Sequence, residues 1–208
     1  MSRLRIALAK GRLYEPSIAL FTGAGAAPAS DAGRRLLIPS SDPSIEFLVV
    51  KPADVPVYVE SGAADVGVTG TDVLRETGAD VLEPLELGFG FCRLVVASPA
   101  GSDYPCLPGG MTPRVATKYP RLAREHFNAR GRPVDIVHVG GSVEVAPLLN
   151  LSHWIVDLVD TGNTLKANGL VERETLFQVQ AVLVANRATQ KLKLDAYLEL
   201  MRRLEVRR

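Results

Sequence analysis

Residues 155–165 read Ile155-Val156-Asp157-Leu158-Val159-Asp160-Thr161-Gly162-Asn163-Thr164-Leu165. The apolar residues at the start of this stretch predict a buried strand, and the small polar residues after Asp160 predict a turn at the start of a helix. A strand that leads through a short turn into a helix is the unit from which α/β folds are built. The stretch therefore indicates an α/β protein with polar groups at the carboxyl end of one strand.

The turn after Asp160 has the residue types of an anion site. Gly162 lets the backbone curl so that successive N–H groups point inward, threonine hydroxyls add donors, and the helix N-terminus adds partial positive charge. Asp157 and Asp160 do not bind phosphate, but their carboxylates accept hydrogen bonds from ribose hydroxyls. The turn thus predicts a site for ribose 5-phosphate. The ordinary alternative is a strand, a turn and a helix capped by Asp or Thr.

Further blocks of sequence accompany this turn along the chain. They read ALAKGRL (7–13), ADVPVYVE (53–60), LGFG (87–90), CRL (92–94), ATKYP (116–120), GSVEVAPLL (141–149) and KANGL (166–170). In this order they closely resemble the blocks of the ATP phosphoribosyltransferase family, which carries out the first step of histidine biosynthesis. The resemblance extends over nearly the whole chain and is far more specific than the turn alone.

Four positions depart from the family pattern. Proline is usual at Ala9, arginine at Lys51, lysine at Phe91 and glycine at Asn150. Arginine offers phosphate a planar fork and lysine only a point charge, so the change at Lys51 bears most on the chemistry. Phe91 removes a positive charge, which argues against a phosphate role at that position.

The composition is that of a globular protein that binds small molecules. The chain has 208 residues, 47% of them hydrophobic, and a formal net charge of +1. A balance of 24 Lys and Arg against 23 Asp and Glu disfavours nucleic-acid binding, which requires a basic excess. The N-terminus lacks the pattern of a signal peptide and no run has the length of a membrane helix, so a cytoplasmic protein is expected.

Cysteine and histidine give no sign of catalysis or metal binding. The two cysteines and three histidines have neither disulfide-framework nor zinc-site spacing. Cys92 lies in an apolar run and is predicted to be core, whereas Cys106 lies in a proline-rich loop. We therefore assign neither of them a nucleophilic role.

Apolar runs alternate with helical periodicity, which predicts an α/β fold with a largely parallel sheet. The resemblance implies more: a two-lobed fold of the type II periplasmic-binding-protein kind, with the active site in the interdomain cleft. Domain I would comprise residues 1–89 plus 171–208, and domain II residues 90–170 with the phosphoribosyl pyrophosphate loop. Residues 171–184 would form one returning strand. The spacing of apolar residues then predicts an amphipathic helix over 190–208, with one face formed by Leu194, Leu198, Met201 and Leu204.

The implied reaction is attack by N1 of the ATP adenine on C1 of phosphoribosyl pyrophosphate, with release of pyrophosphate. No protein nucleophile is needed, so catalysis rests on positioning and on neutralising charge, with Mg²⁺ bound mainly through phosphoribosyl pyrophosphate. The residues implied to bind phosphoribosyl pyrophosphate are Asp157, Asp160, Thr161, Gly162, Asn163, Thr164, Glu144 and Ser142. Glu144 has an equal alternative as a first-turn acid that caps a helix together with Ser142.

A second group of residues is implied to act on ATP and pyrophosphate. Lys51, Arg34 and Arg35 are the candidate catalytic cations, and either arginine could be the family's match. The candidates for binding ATP or pyrophosphate are Lys10, Arg12, Thr71, Asp72 and Tyr119. Lys10 and Arg12 follow the first strand, at the end where open α/β sheets bind ligands. The ordinary alternatives are surface charge for the cations, an N-cap for Thr71 and Asp72, and a helix start for Tyr119.

At 208 residues the chain resembles the short form of the family, because the long form carries an additional C-terminal domain that binds histidine. The resemblance implies a homodimer of the catalytic chain. It also implies a separate regulatory subunit, similar to a histidyl-tRNA synthetase, in a hetero-octamer.

Two other functions remain open from the residues. A nucleobase-salvage phosphoribosyltransferase would use a similar loop, and only the blocks outside the loop argue against it. A solute-binding protein would share the fold, but the phosphate turn and the missing export signal disfavour it.

Overall fold

Strands and helices alternate along the chain in the computed structural model, which describes residues 3–29 and 36–206. The strands are β1 (Leu4–Ala9), β2 (Leu37–Pro39), β3 (Ile45–Val50), β4 (Val66–Gly70), β5 (Leu82–Glu86), β6 (Cys92–Pro99), β7 (Arg114–Thr117), β8 (Asp135–His138), β9 (Trp154–Val159), β10 (Leu170–Val179) and β11 (Ala181–Ala185). The helices are α1 (Tyr14–Gly23), α2 (Val55–Glu60), α3 (Thr71–Thr77), α4 (Pro120–Asn128), α5 (Asn163–Ala167), α6 (Thr189–Leu192) and α7 (Leu194–Glu205). No helix in the two described ranges is long and apolar enough to cross a membrane.

The chain forms two compact units. One contains the described residues up to Gly90 and from Gln180 onward, and the other is Phe91–Val179. The predicted boundary at residue 171 falls inside β10, and the single returning strand predicted over 171–184 is in fact two strands in different sheets. β10 pairs with β6 of the second unit, and β11 pairs with β4 of the first. An apolar run predicts a strand but does not indicate which sheet the strand joins.

The sheet of the first unit has six strands in the order β2-β3-β1-β4-β11-β5. β1 is parallel to β3 and β4, whereas β2 and β11 are antiparallel to their neighbours. Alternate residues of β1 enter different hydrophobic clusters: Leu4, Ile6 and Leu8 enter one, and Ala7 and Ala9 the other. Both faces of the strand are therefore buried, which is why its sequence is almost continuously apolar.

The sheet of the second unit has five strands in the order β10-β6-β9-β7-β8. β9, β7 and β8 run parallel, and β6 is antiparallel to both β9 and β10. On β9, Trp154 and Val156 enter one hydrophobic cluster and Ile155 and Val159 the other. Both sheets are therefore mixed rather than largely parallel. In each, the parallel strands end at one edge, where loops can gather side chains.

Helix α2 packs closely on the first sheet at Gly67 of β4. A Cβ built on Gly67 would lie 2.8 Å from Val55 Cγ1 and 2.8 Å from Val59 Cγ2. Real Cβ atoms do not approach other carbons so closely, so a larger residue would push the helix away from the sheet. Gly67 therefore sets the distance between α2 and the sheet. Helix α2 begins shortly after Lys51.

The C-terminal helix differs from its prediction. It is divided into α6 and α7 at Lys193, whose backbone is not helical (φ −132°, ψ 36°). Lys193 Nζ donates hydrogen bonds to buried Asp65 Oδ2 at 2.7 Å and to the carbonyl of Arg3 at 2.8 Å. The buried residues of α7 are Tyr197, Leu200, Met201 and Leu204. Leu194 and Leu198, predicted to lie on this face, are 48% and 54% exposed, since helical spacing from Leu200 and Leu204 selects Tyr197 instead.

Candidate functional site

The turn after β9 encloses a hollow of about 240 Å³ within the second unit. Its lining residues are Glu144, Asp157, Leu158, Val159, Asp160, Thr161, Gly162, Asn163, Thr164 and Leu165. All of the residues predicted to bind phosphoribosyl pyrophosphate belong to this set except Ser142. Asp157 has the same parity on β9 as Ile155 and Val159, so its carboxylate lies on the sheet face that α5 covers.

Gly162 has the backbone conformation that the turn requires. Its φ is +82° and its ψ is 2°, in the left-handed region, where residues other than glycine are strained. It directly precedes α5, whose first N–H groups lack intrahelical acceptors. In the described part of the chain, the N–H groups of Thr161, Gly162 and Thr164 have no hydrogen-bond acceptor, and that of Asn163 has only a 3.5 Å contact with Thr161 Oγ1. These donors border the hollow.

Glu144 reaches the hollow from a 3₁₀ turn, Val143–Val145. Ser142, directly before this turn, has φ +49° and makes no capping hydrogen bond from its side chain. It is exposed and lies outside the set of lining residues. The alternative in which Ser142 and Glu144 cap a helix together is therefore not the arrangement found.

Arg93 on β6 contacts the first peptide of the turn, a contact that sequence reasoning missed. Its Nη1 donates to the carbonyl of Asp160 at 2.9 Å, and its Nη2 donates to Glu172 Oε2 at 2.8 Å. Hydrogen bonds from Arg93 lower the pKa of Glu172 against the opposing effect of burial, and those bonds in turn raise the pKa of Arg93. Block CRL contains Arg93, but no local pattern connects it to residues 67 and 79 positions away.

Two lysines lie side by side at the edge of the first sheet. Ala9 and Val50 are paired at the ends of the parallel strands β1 and β3, and the N–H of Lys10 donates to the carbonyl of Val50 at 2.8 Å. Lys10 and Lys51 therefore follow neighbouring strands, and both are exposed. Two ammonium groups at adjacent strand ends attract a polyanion. Arg12, close by in sequence, donates from Nη2 to the carbonyl of Gly90 at 3.3 Å.

Thr71 and Asp72 serve the structure of the first unit. Thr71 donates its N–H to the carbonyl of Gln180 at 3.0 Å, and its hydroxyl oxygen accepts from the N–H of Gln180 at 3.3 Å. Asp72 is 4% exposed, and a Cβ on Gly70 would overlap its carboxylate. These contacts give both residues structural partners. The N-cap of α3 is Gly70, without a capping hydrogen bond from a side chain, so neither Thr71 nor Asp72 is the N-cap that the ordinary alternative predicted.

The remaining candidates are Tyr119, Arg34 and Arg35. Tyr119 is 4% exposed in the hydrophobic core of the second unit, with Lys118 Nζ 5.0 Å from the ring centroid. Its ring has little exposed surface on which an adenine could stack. This favours the alternative in which Tyr119 only marks the start of helix α4. Arg34 and Arg35 lie outside the described residues.

The backbone explains one departure from the family pattern. Asn150 has φ +55° and ψ 21°, a left-handed conformation that glycine and asparagine tolerate best. Phe91 is 61% exposed at the start of the second unit, whereas Cys92 is buried as predicted. The structure gives no reason for phenylalanine at position 91.

Comparison with known proteins identifies the relatives of this chain. The profile of the family HisG, described as ATP phosphoribosyltransferase, matches residues 51–206. An ATP phosphoribosyltransferase from Acidithiobacillus ferrooxidans is 48% identical over 206 residues, which cover 97% of this chain and 96% of the relative. One from Sorangium cellulosum is 48% identical over 203 residues, which cover 97% and 94%.

Two solved structures resemble the fold of this chain. The ATP phosphoribosyl transferase (HisG:HisZ) complex from Thermotoga maritima contains a chain that superposes with a TM-score of 0.85 at 32% identity, covering 97% of this chain and 96% of that one. The alkanesulfonate-binding protein SsuA from Xanthomonas axonopodis superposes with a TM-score of 0.56 at 14% identity, covering 98% and 72%. These likenesses confirm the predicted fold class, α/β of the type II periplasmic-binding-protein kind. The profile match and the identities show that the chain belongs to the HisG family of ATP phosphoribosyltransferases.

Proposed function

We propose that the hollow after β9 holds the ribose 5-phosphate part of phosphoribosyl pyrophosphate during the family's reaction. That reaction, the first step of histidine biosynthesis, joins N1 of the ATP adenine to C1 of the ribose and releases pyrophosphate. The proposal rests on one observation: Glu144, Asp157 and the turn 160–164 all line the same hollow. Phosphate would take the N–H groups and threonine hydroxyls, and the ribose hydroxyls would take the carboxylates.

The charges around the hollow suit the bond changes. As the C1–O bond to pyrophosphate breaks, its electron pair leaves with pyrophosphate and C1 becomes electron-poor, while N1 of the adenine supplies the pair for the new bond. The carboxylates of Glu144 and Asp157 favour the electron-poor ribose. The fixed N–H groups near Gly162 hold the phosphate at the other end, so the ribose is positioned before it reacts.

The exposed cations of the first unit suit the pyrophosphate groups. We assign Lys51 to the leaving pyrophosphate, and Lys10 and Arg12 to the phosphates of ATP or of pyrophosphate. Lys10 and Lys51 are adjacent, so both can approach one polyanion. Their ammonium groups stabilise negative charge as it accumulates on the departing group.

Mg²⁺ is proposed to arrive with phosphoribosyl pyrophosphate. Mg²⁺ prefers oxygen ligands and usually binds through one or two carboxylates, water and substrate phosphates. Glu144 and Asp157 supply such oxygens at the hollow, and no group of three or more His, Cys, Asp or Glu within residues 3–29 and 36–206 is arranged to hold a metal alone. The donors fit an ion shared with the substrate, where it would neutralise pyrophosphate charge.

A product assay tests the proposed activity. With ATP, phosphoribosyl pyrophosphate and Mg²⁺, the purified chain is expected to form phosphoribosyl-ATP and pyrophosphate in equal amounts, measured by mass spectrometry and a pyrophosphate-coupled assay. Adenine, guanine or hypoxanthine in place of ATP is expected to give no product, because a salvage enzyme alone would use free bases. Product from a free base and none from ATP, alone or with a HisZ-type subunit, would overturn the assignment.

A HisZ-type regulatory subunit is the proposed protein partner. Support comes from the solved relative that forms a HisG:HisZ complex. We expect light scattering to show a homodimer of the chain alone, and a hetero-octamer after addition of a HisZ-type subunit from the same genome. A mixture that elutes as two separate species at micromolar concentration would contradict the partnership.

A further inference from the structure

The guanidinium of Arg93 is fixed in a specific orientation within the second unit. Its Nε lies 3.0 Å from each carboxylate oxygen of Glu172, and its Nη2 lies 2.8 Å from Oε2. Thr175 Oγ1 donates to Glu172 Oε1 at 2.9 Å, which orients the carboxylate in turn. Paired hydrogen bonds of this kind supply direction as well as energy. Nη1 of the oriented guanidinium donates to the carbonyl of Asp160 at 2.9 Å.

This contact continues the pairing of β6 with β9 beyond the end of the strand. Arg93 is paired with Val159, the last residue of β9, so the backbone ladder ends one residue before Asp160. The side chain of Arg93 therefore supplies the next hydrogen bond, which a backbone donor of β6 does not provide. The first peptide of the turn is held in line with the strand although it lies outside the sheet.

Fixing one carbonyl also fixes the N–H that follows it. A trans peptide is planar, and its carbonyl and N–H point in opposite directions. Because the Asp160 carbonyl is directed at Arg93, the N–H of Thr161 is directed away from Arg93. Asp160 and Thr161 line the hollow, whereas Arg93 does not. The guanidinium therefore contacts the turn from the side that faces away from the hollow. The N–H of Thr161 is thereby presented to a ligand.

We infer that Arg93, held by Glu172, is a positioning residue for the 5-phosphate of phosphoribosyl pyrophosphate, acting through the peptide between Asp160 and Thr161. The inference rests on the proposed assignment of the turn to that phosphate. Arg93 does not serve as a phosphate-binding charge, because Glu172 already neutralises it at 2.8 Å. Its contribution is the direction of a backbone donor.

Calorimetry with phosphoribosyl pyrophosphate and with ATP, on three single variants, one double variant and one control, tests this role. Arg93→Met removes the guanidinium and keeps most of the chain length. We expect it to weaken binding of phosphoribosyl pyrophosphate about tenfold, the size of one hydrogen bond to a charged group, with ATP binding unchanged. Arg93→Lys is expected to weaken binding similarly, because one ammonium cannot reproduce the fork that contacts Glu172 and Asp160 together.

Glu172→Gln separates positioning from charge. If Arg93 acts by position, loss of the carboxylate frees its orientation and weakens binding of phosphoribosyl pyrophosphate. Combined with Arg93→Met it should add little, because the two residues act as one unit. The control is Arg173→Met, which removes an equal charge from β10, where Arg173 contacts Ser98, Pro99 and Ala100. It should leave binding of phosphoribosyl pyrophosphate unchanged.

Three results would overturn the inference: tighter binding in Glu172→Gln, full affinity in Arg93→Lys, or full affinity in a folded Arg93→Met. Should Arg93→Met fail to fold by circular dichroism, Glu172→Gln and Arg93→Lys decide the question. A wrong assignment of the turn is recognised separately, because Gly162→Val would then also retain affinity for phosphoribosyl pyrophosphate.

Discussion

Replacement of Gly162 by valine is expected to weaken binding of phosphoribosyl pyrophosphate by at least about a hundredfold, because two or more hydrogen bonds to a charged phosphate are lost together and each is worth about tenfold. Valine is strained at φ +82° because its branched Cβ meets its own backbone. The surroundings are not the obstacle, since a Cβ at this position would lie 3.8 Å from Val159 Cγ1, an ordinary contact. The turn itself must change conformation, and its N–H groups then no longer converge.

Gly169 offers a matched control for this prediction. It follows α5 with φ +67° and a Cβ there would meet no atom within 4 Å, so Gly169→Val brings similar backbone strain at the other end of the same helix. Both variants should lose comparable thermal stability, but only Gly162→Val should lose affinity in calorimetry. A folded Gly162→Val protein with unchanged affinity would remove the turn from consideration as the phosphate site.

Lys51→Ala is expected to lower turnover about a hundredfold while weakening ATP binding far less, because negative charge on pyrophosphate is greatest in the transition state. Lys51→Arg, which restores the family's usual residue, is expected to retain or raise turnover, since the arginine fork matches phosphate oxygens. Steady-state kinetics with both substrates gives the two quantities separately.

Lys191→Ala is the control for Lys51, because Lys191 is an exposed lysine of the same unit on α6 and its loss changes net charge equally. It should leave turnover unchanged. If Lys51→Ala instead raised only the apparent dissociation constant of ATP and left turnover intact, Lys51 would belong to ground-state binding of ATP and not to the leaving pyrophosphate.

The residues of the hollow could be predicted because their determinants are local. Strand β9, the glycine at φ +82° and the helix after it follow one another between Trp154 and Ala167, and each has its own sequence signal. Glu144 was also found, through its block, although the residues alone left its role open. Lys10 and Lys51 could be placed at one sheet edge because they follow parallel strands.

The rest depends on contacts between residues distant in sequence. Arg93 and Glu172 are 79 positions apart, and nothing near either one indicates the other. The sheet that β10 joins is likewise decided by pairing with β6, so the predicted boundary at 171 was wrong by about nine residues relative to Gln180. For Tyr119, the sequence does not distinguish a ring that stacks on a base from a ring that fills a core. Its burial does.

The place of β11 has a consequence for synthesis on the ribosome. Phe91–Val179 is continuous in sequence, so all strands of its sheet have been made once Val179 emerges. In the other unit, β11 lies between β4 and β5, although β4 and β5 are made about a hundred residues earlier. Until β11 arrives, those two strands present unpaired backbone edges that attract other chains. The first unit therefore begins synthesis before the second unit but completes its sheet after it, and β4 and β5 lack their partner strand during the whole synthesis of Phe91–Val179.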